Sequence, residues 1–330
     1  MSIATARTID LHAHAVLEET FGTAGEHGPE LTVAEDGRPL FRVGHYRLHG
    51  VRYRGSPFMD PDLRIAAMDR AGIDFQVLSP NPLTYFHFIG AGDALSFCRR
   101  SNDTLAALVA RYPTRLAGLA ALPMQDPGAS IAELDRAVGE LGLWGAYVGT
   151  EFGMGLDDAR LDPLYRRCVE LDVPLFFHPA PAGIDGPPAW PPLDRFDLEL
   201  LLGFAAQETR AVATLIFGGV LDRHPDLDLC ISHGGGAIAF LCGRFAEAAH
   251  KRPWAPQHLR AEGEFEARLR RLWFDNHVHS EAALDLLTRT VGQDRLVLGT
   301  NFAGWDQPGE GRAIEAPSWL ADNARRLLRK

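Results

Sequence analysis

Histidines end several short apolar segments of this 330-residue chain. His12 and His14 lie two residues apart in IDLHAH, a spacing that puts both side chains on one face of a β-strand. His178 ends the apolar run LFFH, and His233 ends LCISH. Neutral imidazoles bind Zn²⁺ and related metals, and three protein ligands with open positions are typical of a catalytic metal. Each histidine alone could be a hydrogen-bonded core residue, but the combination predicts a metal-dependent enzyme.

The last two apolar segments also end in polar residues. Asp275, His277 and His279 follow one another in FDNHVHS, and they either contact a substrate or cap a strand end. Asn301 ends LVLGTN, where chemistry would usually require a carboxylate. Its amide oxygen can bind a metal, but the amide is neutral and cannot transfer a proton near pH 7. Asn301 therefore leaves open which residue moves a proton.

The elements that must position these residues alternate regularly. Each short apolar segment precedes a helical pattern, which predicts a parallel sheet, and eight repeats predict a closed (β/α)8 TIM barrel. An open doubly wound sheet is the alternative, but no glycine-rich phosphate loop follows the first segment. The predicted strands are 8–14, 74–80, 116–123, 144–150, 173–179, 227–233, 272–278 and 295–301. One long helix is predicted over 198–225.

Residues 15–60 form an unusually long first connection, rich in Gly, His and Arg. Long loops at the catalytic face of a barrel are usually functional. We therefore predict a lid-like insertion after strand one, within a single barrel domain that spans residues 1–330.

Composition and charge exclude several classes of protein. The formal net charge of −10 argues against a surface for nucleic acid or anionic membranes, which requires clustered Lys and Arg. The apolar runs are shorter than the about 18 residues that a membrane span needs. The first residues lack the pattern of a signal peptide. Cys98, Cys168, Cys230 and Cys242 lack CxxC spacing, which predicts reduced, buried thiols in a cytoplasmic protein.

The ordered motifs resemble the amidohydrolase superfamily, in particular the branch of aminocarboxymuconate-semialdehyde decarboxylase and the metal-dependent aromatic acid decarboxylases. IDLHAH is similar to the family's IDxHxH start, and MDPDLRIAAMDRAGIDFQVLS to the segment before its second strand. LFFHP, ISHGGGAIAFLCGR and LWFDNHVHS match strands five to seven. RLVLGTNFAGWD stands where members usually have GSDYPF or GTDYPF, and NARRLL resembles the terminal NAxxLF. The resemblance covers nearly the whole chain.

The resemblance implies a role for each residue of the site. His12, His14 and His178 would hold one divalent metal, most often Zn²⁺, with Mn²⁺ in some relatives. Asn301 stands where the family has an aspartate that binds the metal and takes part in proton transfer. His233 would be the general acid/base, a task that suits histidine. The three glycines after it either let the backbone approach a ligand or form a tight turn.

A substrate carboxylate would be bound by arginine, which pairs with it in a bidentate manner. Arg52 stands where the semialdehyde decarboxylase has such an arginine, and Arg54 could replace it, although both could be solvated surface residues. Arg244 matches an arginine that in that enzyme reaches the neighbouring subunit's site, which implies a homodimer. The loops after strands two and five offer an aromatic pocket or ordinary packing residues: Tyr85, Phe86, His87 and Trp190.

The leading hypothesis is therefore non-oxidative decarboxylation of a small aromatic or muconate-like carboxylic acid. The alternatives are a metal-dependent hydrolase or hydratase of a ring-cleavage product such as a lactone, and a binding protein descended from the enzyme.

Asn301 marks a natural subgroup, an Asp→Asn variant that traps substrate, or a weakened relative. The neighbouring Gly304 and Trp305 also depart from the family's motif, which favours the natural subgroup. Asp306 could restore a carboxylate by reaching back.

Overall fold

The computed structural model describes residues 2–181, 184, 193, 195–302, 304–307 and 313–330. Its strands are β1 Ile9–Ala15, β2 Glu30–Val33, β3 Pro39–Val43, β4 Tyr46–His49, β5 Phe75–Pro80, β6 Leu116–Gly118, β7 Ala146–Gly149, β8 Leu175–His178, β9 Leu229–Ile231, β10 Trp273–Asp275 and β11 Leu296–Val297. Its α-helices are α1 Pro61–Ala71, α2 Ala91–Ala110, α3 Pro127–Gly139, α4 Asp162–Glu170, α5 Phe204–Phe217, α6 Val220–Arg223, α7 Ile238–Lys251, α8 Glu264–Leu269, α9 Glu281–Val291 and α10 Ser318–Leu328.

Eight of the described strands form a parallel barrel, which confirms the predicted fold. The strands β1, β5 and β6 pair in that order, and β7 to β11 pair in chain order. Isolated parallel bridges close the two remaining seams: one joins Ala120 to Ala146, and two join β1 to the last strand segment, Asp10 to Leu298 and Ala13 to Phe302. Each predicted segment overlaps one barrel strand, and only β1 extends past its segment, by one residue. Because all eight run parallel, their carboxyl ends meet at one rim, where a barrel builds its active site.

The barrel interior and the layer between strands and helices form separate apolar clusters. Ile9 and Leu11 of β1 belong to the interior cluster, whereas Ala13 and Ala15 belong to the outer one. The register of β1 against β5 shifts between Asp10 and Ala13. This irregularity moves the inward-facing set by one residue, as a bulge does. As a result, His12 and His14 lie in the barrel mouth.

A buried polar network ties β1 to its two neighbours. Asp10 accepts hydrogen bonds from Thr300 Oγ1 at 2.7 Å and from Gln76 Nε2 at 2.8 Å. Arg64 donates to Gln76 Oε1 and to the carbonyl of His14, both at 2.6 Å. Burial raises the pKa of Asp10 to about 6 despite these donors. The network fixes the strand that carries His14 relative to the last strand of the barrel.

The predicted helix over 198–225 is divided. A π-helical turn, Glu199–Gly203, leads into α5, and Gly219 at φ +70° separates α5 from α6. Glycine adopts this left-handed conformation without steric cost. By length and composition alone, Glu199–Phe217 could cross a membrane, with a mean hydropathy of 1.3. Its residues Val212, Leu215 and Ile216 belong to the apolar core of the barrel, whereas Leu201 and Leu202 are exposed.

The insertion over 15–60 contains the antiparallel sheet β2–β3–β4. Phe41 and Val43 of β3 pack in one cluster with Phe86 and Phe97, which lie beyond β5. The backbone N–H of His45 donates to the carbonyl of Ile184, which lies beyond β8, at 3.2 Å. The insertion therefore rests on loops that follow the carboxyl ends of barrel strands.

All four cysteines are buried and form no disulfide, which agrees with the predicted reduced thiols.

Candidate metal centre and active site

Four histidine rings meet at the carboxyl ends of the barrel strands. The ring centroid of His178 lies 5.1 Å from that of His12 and 4.8 Å from that of His14. The ring of His233 lies 4.8 Å from the rings of both His12 and His178. The structure thus brings together the four histidines that the sequence singles out.

Hydrogen bonds determine which ring nitrogen of each metal-site histidine carries hydrogen. Nδ1 of His12 contacts Asp275 Oδ2 at 2.8 Å, and Nδ1 of His14 contacts the Pro80 carbonyl at 3.1 Å. Nδ1 of His178 contacts the carbonyl of the next residue at 2.6 Å. Carboxylates and carbonyls only accept, so each Nδ1 is the donor. Each neutral ring therefore has its lone pair on Nε2.

These Nε2 lone pairs fit a divalent cation. Nε2 of His12 lies 3.1 Å from Nε2 of His14, and the ligand atoms of the three residues lie within 4.8 Å of one another. Two acceptors this close cannot bond to each other. Two nitrogens bound to one tetrahedral Zn²⁺ are separated by about 3.3 Å. His12, His14 and His178 thus have the donor type, orientation and spacing of a metal site.

Burial keeps the three imidazoles in the neutral form that binds metals. It lowers the pKa of His12 to about 4, although the Asp275 carboxylate opposes this shift. It lowers the pKa of His14 and of His178 well below the usual range. Burial also acts to raise the pKa of Asp275, but His12 outweighs it and the carboxyl stays ionised. Asp275 therefore orients His12 as the carboxylate of a carboxylate–histidine–metal arrangement.

His233 differs from the other three because it has a carboxylate partner in α5. Its Nδ1 lies 2.6 Å from Oε1 of Glu208, which is fully buried. Burial lowers the pKa of His233, but Glu208 outweighs it and raises the pKa to about 9. A divalent cation on the neighbouring rings would bring it down again. Burial raises the pKa of Glu208, so the His233–Glu208 pair retains a proton at the rim of the barrel. His233 is thus equipped to donate a proton.

The glycines after His233 form a tight turn, one of the two roles that the sequence leaves open. Gly234, Gly235 and Gly236 all have positive φ. A Cβ at Gly236 would collide with the carbonyl oxygen of Ala205 in α5. The turn therefore lets the loop approach the helix that carries Glu208.

Asn301 takes part in a second polar group at the rim. Its Nδ2 donates to Oδ1 of Asp306 at 2.6 Å. The other oxygen of Asp306 lies 3.1 Å from Nε2 of His277 and 3.2 Å from Nε2 of His279. Burial acts to raise the pKa of Asp306, but the hydrogen bonds with His277 and Asn301 outweigh burial and lower it. Asp306 thus reaches back to Asn301, as the sequence allows, and brings a carboxylate to this position.

A cavity of about 670 Å³ lies between the insertion and the loops beyond β5 and β8. Tyr85, Phe86 and His87 line it, together with His27 and His45 of the insertion. Both ring nitrogens of His87 are buried without a hydrogen-bond partner among the described residues. This cavity suits the predicted aromatic pocket. Trp190, the remaining predicted member, lies outside the described residues.

The three predicted arginines lie on the surface of the chain. Arg52 and Arg244 are exposed, and Arg54 forms an ion pair with Glu18 at 2.7 Å. Within the described part of the chain, no hydrogen bond or ion pair joins them to the histidine cluster. Their substrate-binding role stays a prediction.

Sequence reasoning missed Glu208, and for Asp275 it offered substrate contact or a strand cap but not the contact with His12. A glutamate within the apolar helical run AAQETRAVATLIF is the signal that could have revealed Glu208, because such a residue is buried only with a partner. Nothing in the sequence indicates that this partner is His233.

The comparisons with known proteins agree with this geometry. The family model described as Amidohydrolase matches residues 9–330, and the chain belongs to this family. It is 36% identical over 245 residues to 2-amino-3-carboxymuconate-6-semialdehyde decarboxylase from Dictyostelium discoideum, an alignment that covers 74% of this chain and 66% of that protein.

Two bacterial proteins extend the comparison. The chain is 30% identical over 268 residues to gamma-resorcylate decarboxylase from Polaromonas sp., covering 73% of this chain and 76% of that protein. The crystal structure of a variant 5-carboxyvanillate decarboxylase from Novosphingobium aromaticivorans contains manganese and a nitrobenzoic acid derivative. It superposes with a TM-score of 0.70 at 25% identity, covering 83% of this chain and 82% of that one.

Proposed function

We propose that this protein is a metal-dependent decarboxylase that releases CO₂ from an aromatic or muconate-like carboxylic acid without an oxidant. The observation that carries the proposal is that a candidate metal site and a candidate proton donor lie side by side at one rim of the barrel. Three neutral histidines converge on a point, and the His233–Glu208 pair holds a proton beside them. The named activities of the relatives support the same reaction.

His233 is the proposed proton donor. It protonates the carbon that carries the carboxylate, and a pair of π electrons forms the new C–H bond. Cleavage of the bond to the carboxyl carbon returns an electron pair to the π system as CO₂ leaves. Glu208 stabilises the imidazolium and holds Nδ1, so that Nε2 delivers the proton.

His12, His14 and His178 are the proposed metal ligands. Bound there, Zn²⁺ or Mn²⁺ supplies Lewis-acid stabilisation of the substrate's carboxylate or an adjacent oxygen. We propose Asn301 as a further ligand and site residue. Its Nδ2 is committed to Asp306, so its carbonyl oxygen is the atom that can face a cation.

The proposed substrate site is the cavity between the insertion and the loops beyond β5 and β8, whose lining includes Ala180, two residues after His178. Burial lowers the pKa of His87 to about 3, so that its ring offers neutral hydrogen-bonding groups to the substrate. Arg52, Arg54, Arg244 and Trp190 remain proposed substrate contacts from the family resemblance.

A product screen tests the reaction. The metal-loaded protein is incubated with hydroxybenzoates, hydroxypicolinates, muconate-like acids and lactones, and released CO₂ is measured together with the products. We expect CO₂ from an unsaturated carboxylic acid and its loss in His233→Gln, whereas the exposed-histidine control His250→Gln should keep it. Hydration or ring opening without CO₂ would contradict the proposal in favour of a hydratase or hydrolase.

We also propose a homodimer. On α7, Phe240 is 81% exposed and lies one turn from the exposed Arg244, so both share an unpartnered face. Light scattering should give twice the mass of one chain, and Phe240→Asp should give a monomer. A monomeric unaltered protein would refute the dimer.

Two further proposals concern the whole chain. We propose a cytoplasmic location, which the free cysteines support, and a single domain over residues 1–330.

A further inference from the structure

A second group of metal-ligating side chains lies beside the three histidines. Nε2 of His277 and Nε2 of His279 approach the same carboxylate oxygen of Asp306, at 3.1 and 3.2 Å. The ligand atoms of the three residues lie within 4.8 Å of one another. Two imidazoles and one carboxylate, with other positions open, form a ligand set that divalent first-row metals bind.

We propose that His277, His279 and Asp306 form a second divalent-cation site, for Mn²⁺ or Zn²⁺, next to the site of His12, His14 and His178. The inference goes beyond the proposed function, because the decarboxylation described above uses only the first cation. It would stand even if the protein catalysed a different reaction.

The surroundings of Asp306 favour a cation. Its side chain is only 9% exposed, and within the described residues no lysine or arginine pairs with it. Its partners are the Asn301 amide and two imidazoles. A buried carboxylate is retained when a positive charge compensates it. By contrast, the Asp158 side chain is 27% exposed and pairs with Arg160, with 2.6 Å between the charged atoms.

The second group is also accessible and close to the first. The side chain of His279 is 61% exposed, so a cation can enter from solvent. The ring of His277 lies 5.6 Å from the ring of His12 and 5.7 Å from that of His233. A cation here would place a second positive charge at the same rim, where an anionic substrate would be attracted to both.

The same distances would arise if the two imidazoles only donated hydrogen bonds to Asp306. Metal stoichiometry separates these two states. His279→Ala is the informative change, since its side chain is largely in solvent and its removal leaves the barrel core intact. The matched control is His258→Ala, because His258 is also exposed and lies 3.1 Å from a single aspartate, Asp222.

The experiment titrates the chelator-treated full chain with Mn²⁺ and follows free Mn²⁺ by electron paramagnetic resonance. We expect about two equivalents per chain for the unaltered protein and for His258→Ala, and about one for His279→Ala. His178→Ala should also retain about one, on the second site, and the double variant none. Binding in His279→Ala equal in amount and affinity to the unaltered protein would overturn the second site. The second site would also be overturned if the unaltered protein bound one equivalent of Mn²⁺ and His178→Ala bound none. That result would still support the first site.

Discussion

Asn301 donates a hydrogen bond from Nδ2 to Oδ1 of Asp306, with 2.6 Å between the two atoms. The pair explains how an amide can occupy a position where the family resemblance implies a carboxylate: Asp306, five residues further along the chain, supplies the negative charge. An aspartate at 301 would place two carboxylates at hydrogen-bond distance. This relationship supports the natural-subgroup interpretation of Asn301 over an isolated substitution.

We therefore expect Asn301→Asp to lower both stability and activity at neutral pH. Repulsion between the two carboxylates should reduce the free energy of unfolding by about 1–3 kcal/mol, since the donated hydrogen bond is lost inside a part-buried site. Chemical denaturation and steady-state kinetics measure the two effects. The exchange variant Asn301→Asp/Asp306→Asn restores one amide and one carboxylate and should recover most of the stability. Higher activity in Asn301→Asp alone would identify Asn301 as a substituted residue.

Asp275→Asn should weaken metal binding while leaving the ligands in place. The amide no longer holds His12 Nδ1–H with a charged acceptor, and such outer partners contribute about 10–100-fold to metal affinity. Competition against a chelator gives the affinity of each variant. Asp285→Asn, which alters an exposed pair with Arg289, is the control and should bind as the unaltered protein does. If Asp275→Asn and Asp285→Asn bound the metal with equal affinity, Asp275 would have no role in orienting His12 for metal binding.

Glu208→Gln should shift the alkaline limb of the pH–rate profile to lower pH. In the proposed mechanism His233 acts as an acid in its protonated form, so activity should be lost as pH rises through its pKa, at or below about 9. Without the Glu208 carboxylate, the strongest influence that raises the pKa of His233 is lost, and burial lowers this pKa. The raised pKa of His233 also stabilises the fold. This stabilisation is fully present below pH 6.5, the usual pKa of histidine, and it is lost as pH rises through the folded pKa of about 9. An unchanged limb would show that another group donates the proton.

Gly236→Ala should reduce stability by about 1–3 kcal/mol, because a Cβ meets the Ala205 carbonyl and φ is +67°. Activity should fall with it, as the collision displaces the helix of Glu208. Gly243→Ala in α7 is the matched control, since a Cβ there meets nothing within 4 Å. Thermal unfolding of both variants tests the difference, and similar melting temperatures would contradict the tight-turn interpretation.

Removal of one ligand should abolish metal retention at the first site. In His178→Ala, the ligands that remain are the imidazoles of His12 and His14 and the proposed Asn301 carbonyl, without the third imidazole, and the cation should be lost to water. His224→Ala changes a histidine that pairs with Asp162 elsewhere in the barrel. Metal analysis after gel filtration compares the two. Metal bound at the second site is subtracted in this comparison. If His178→Ala then retained as much metal as the unaltered protein, the assignment of His178 as a ligand would be refuted.

Much of the fold follows from local patterns. Strand–helix alternation is a short-range property, so the eight segments and the barrel are predictable. The helix over 198–225 is predicted as continuous because its apolar spacing continues through Gly218 and Gly219. The break depends on the conformation at Gly219, to which hydrophobic periodicity is insensitive.

For the site, the sequence by itself determined where the candidate ligands stand: histidines at the ends of strands, and an amide, Asn301, where the family resemblance implies a carboxylate. Only the tertiary structure decided their partners. The His12–Asp275 and His233–Glu208 contacts join residues far apart in sequence, and no local pattern encodes which acid meets which histidine. The protonation of each ring follows from those contacts, because burial and a neighbouring charge act on the pKa only once the chain has folded.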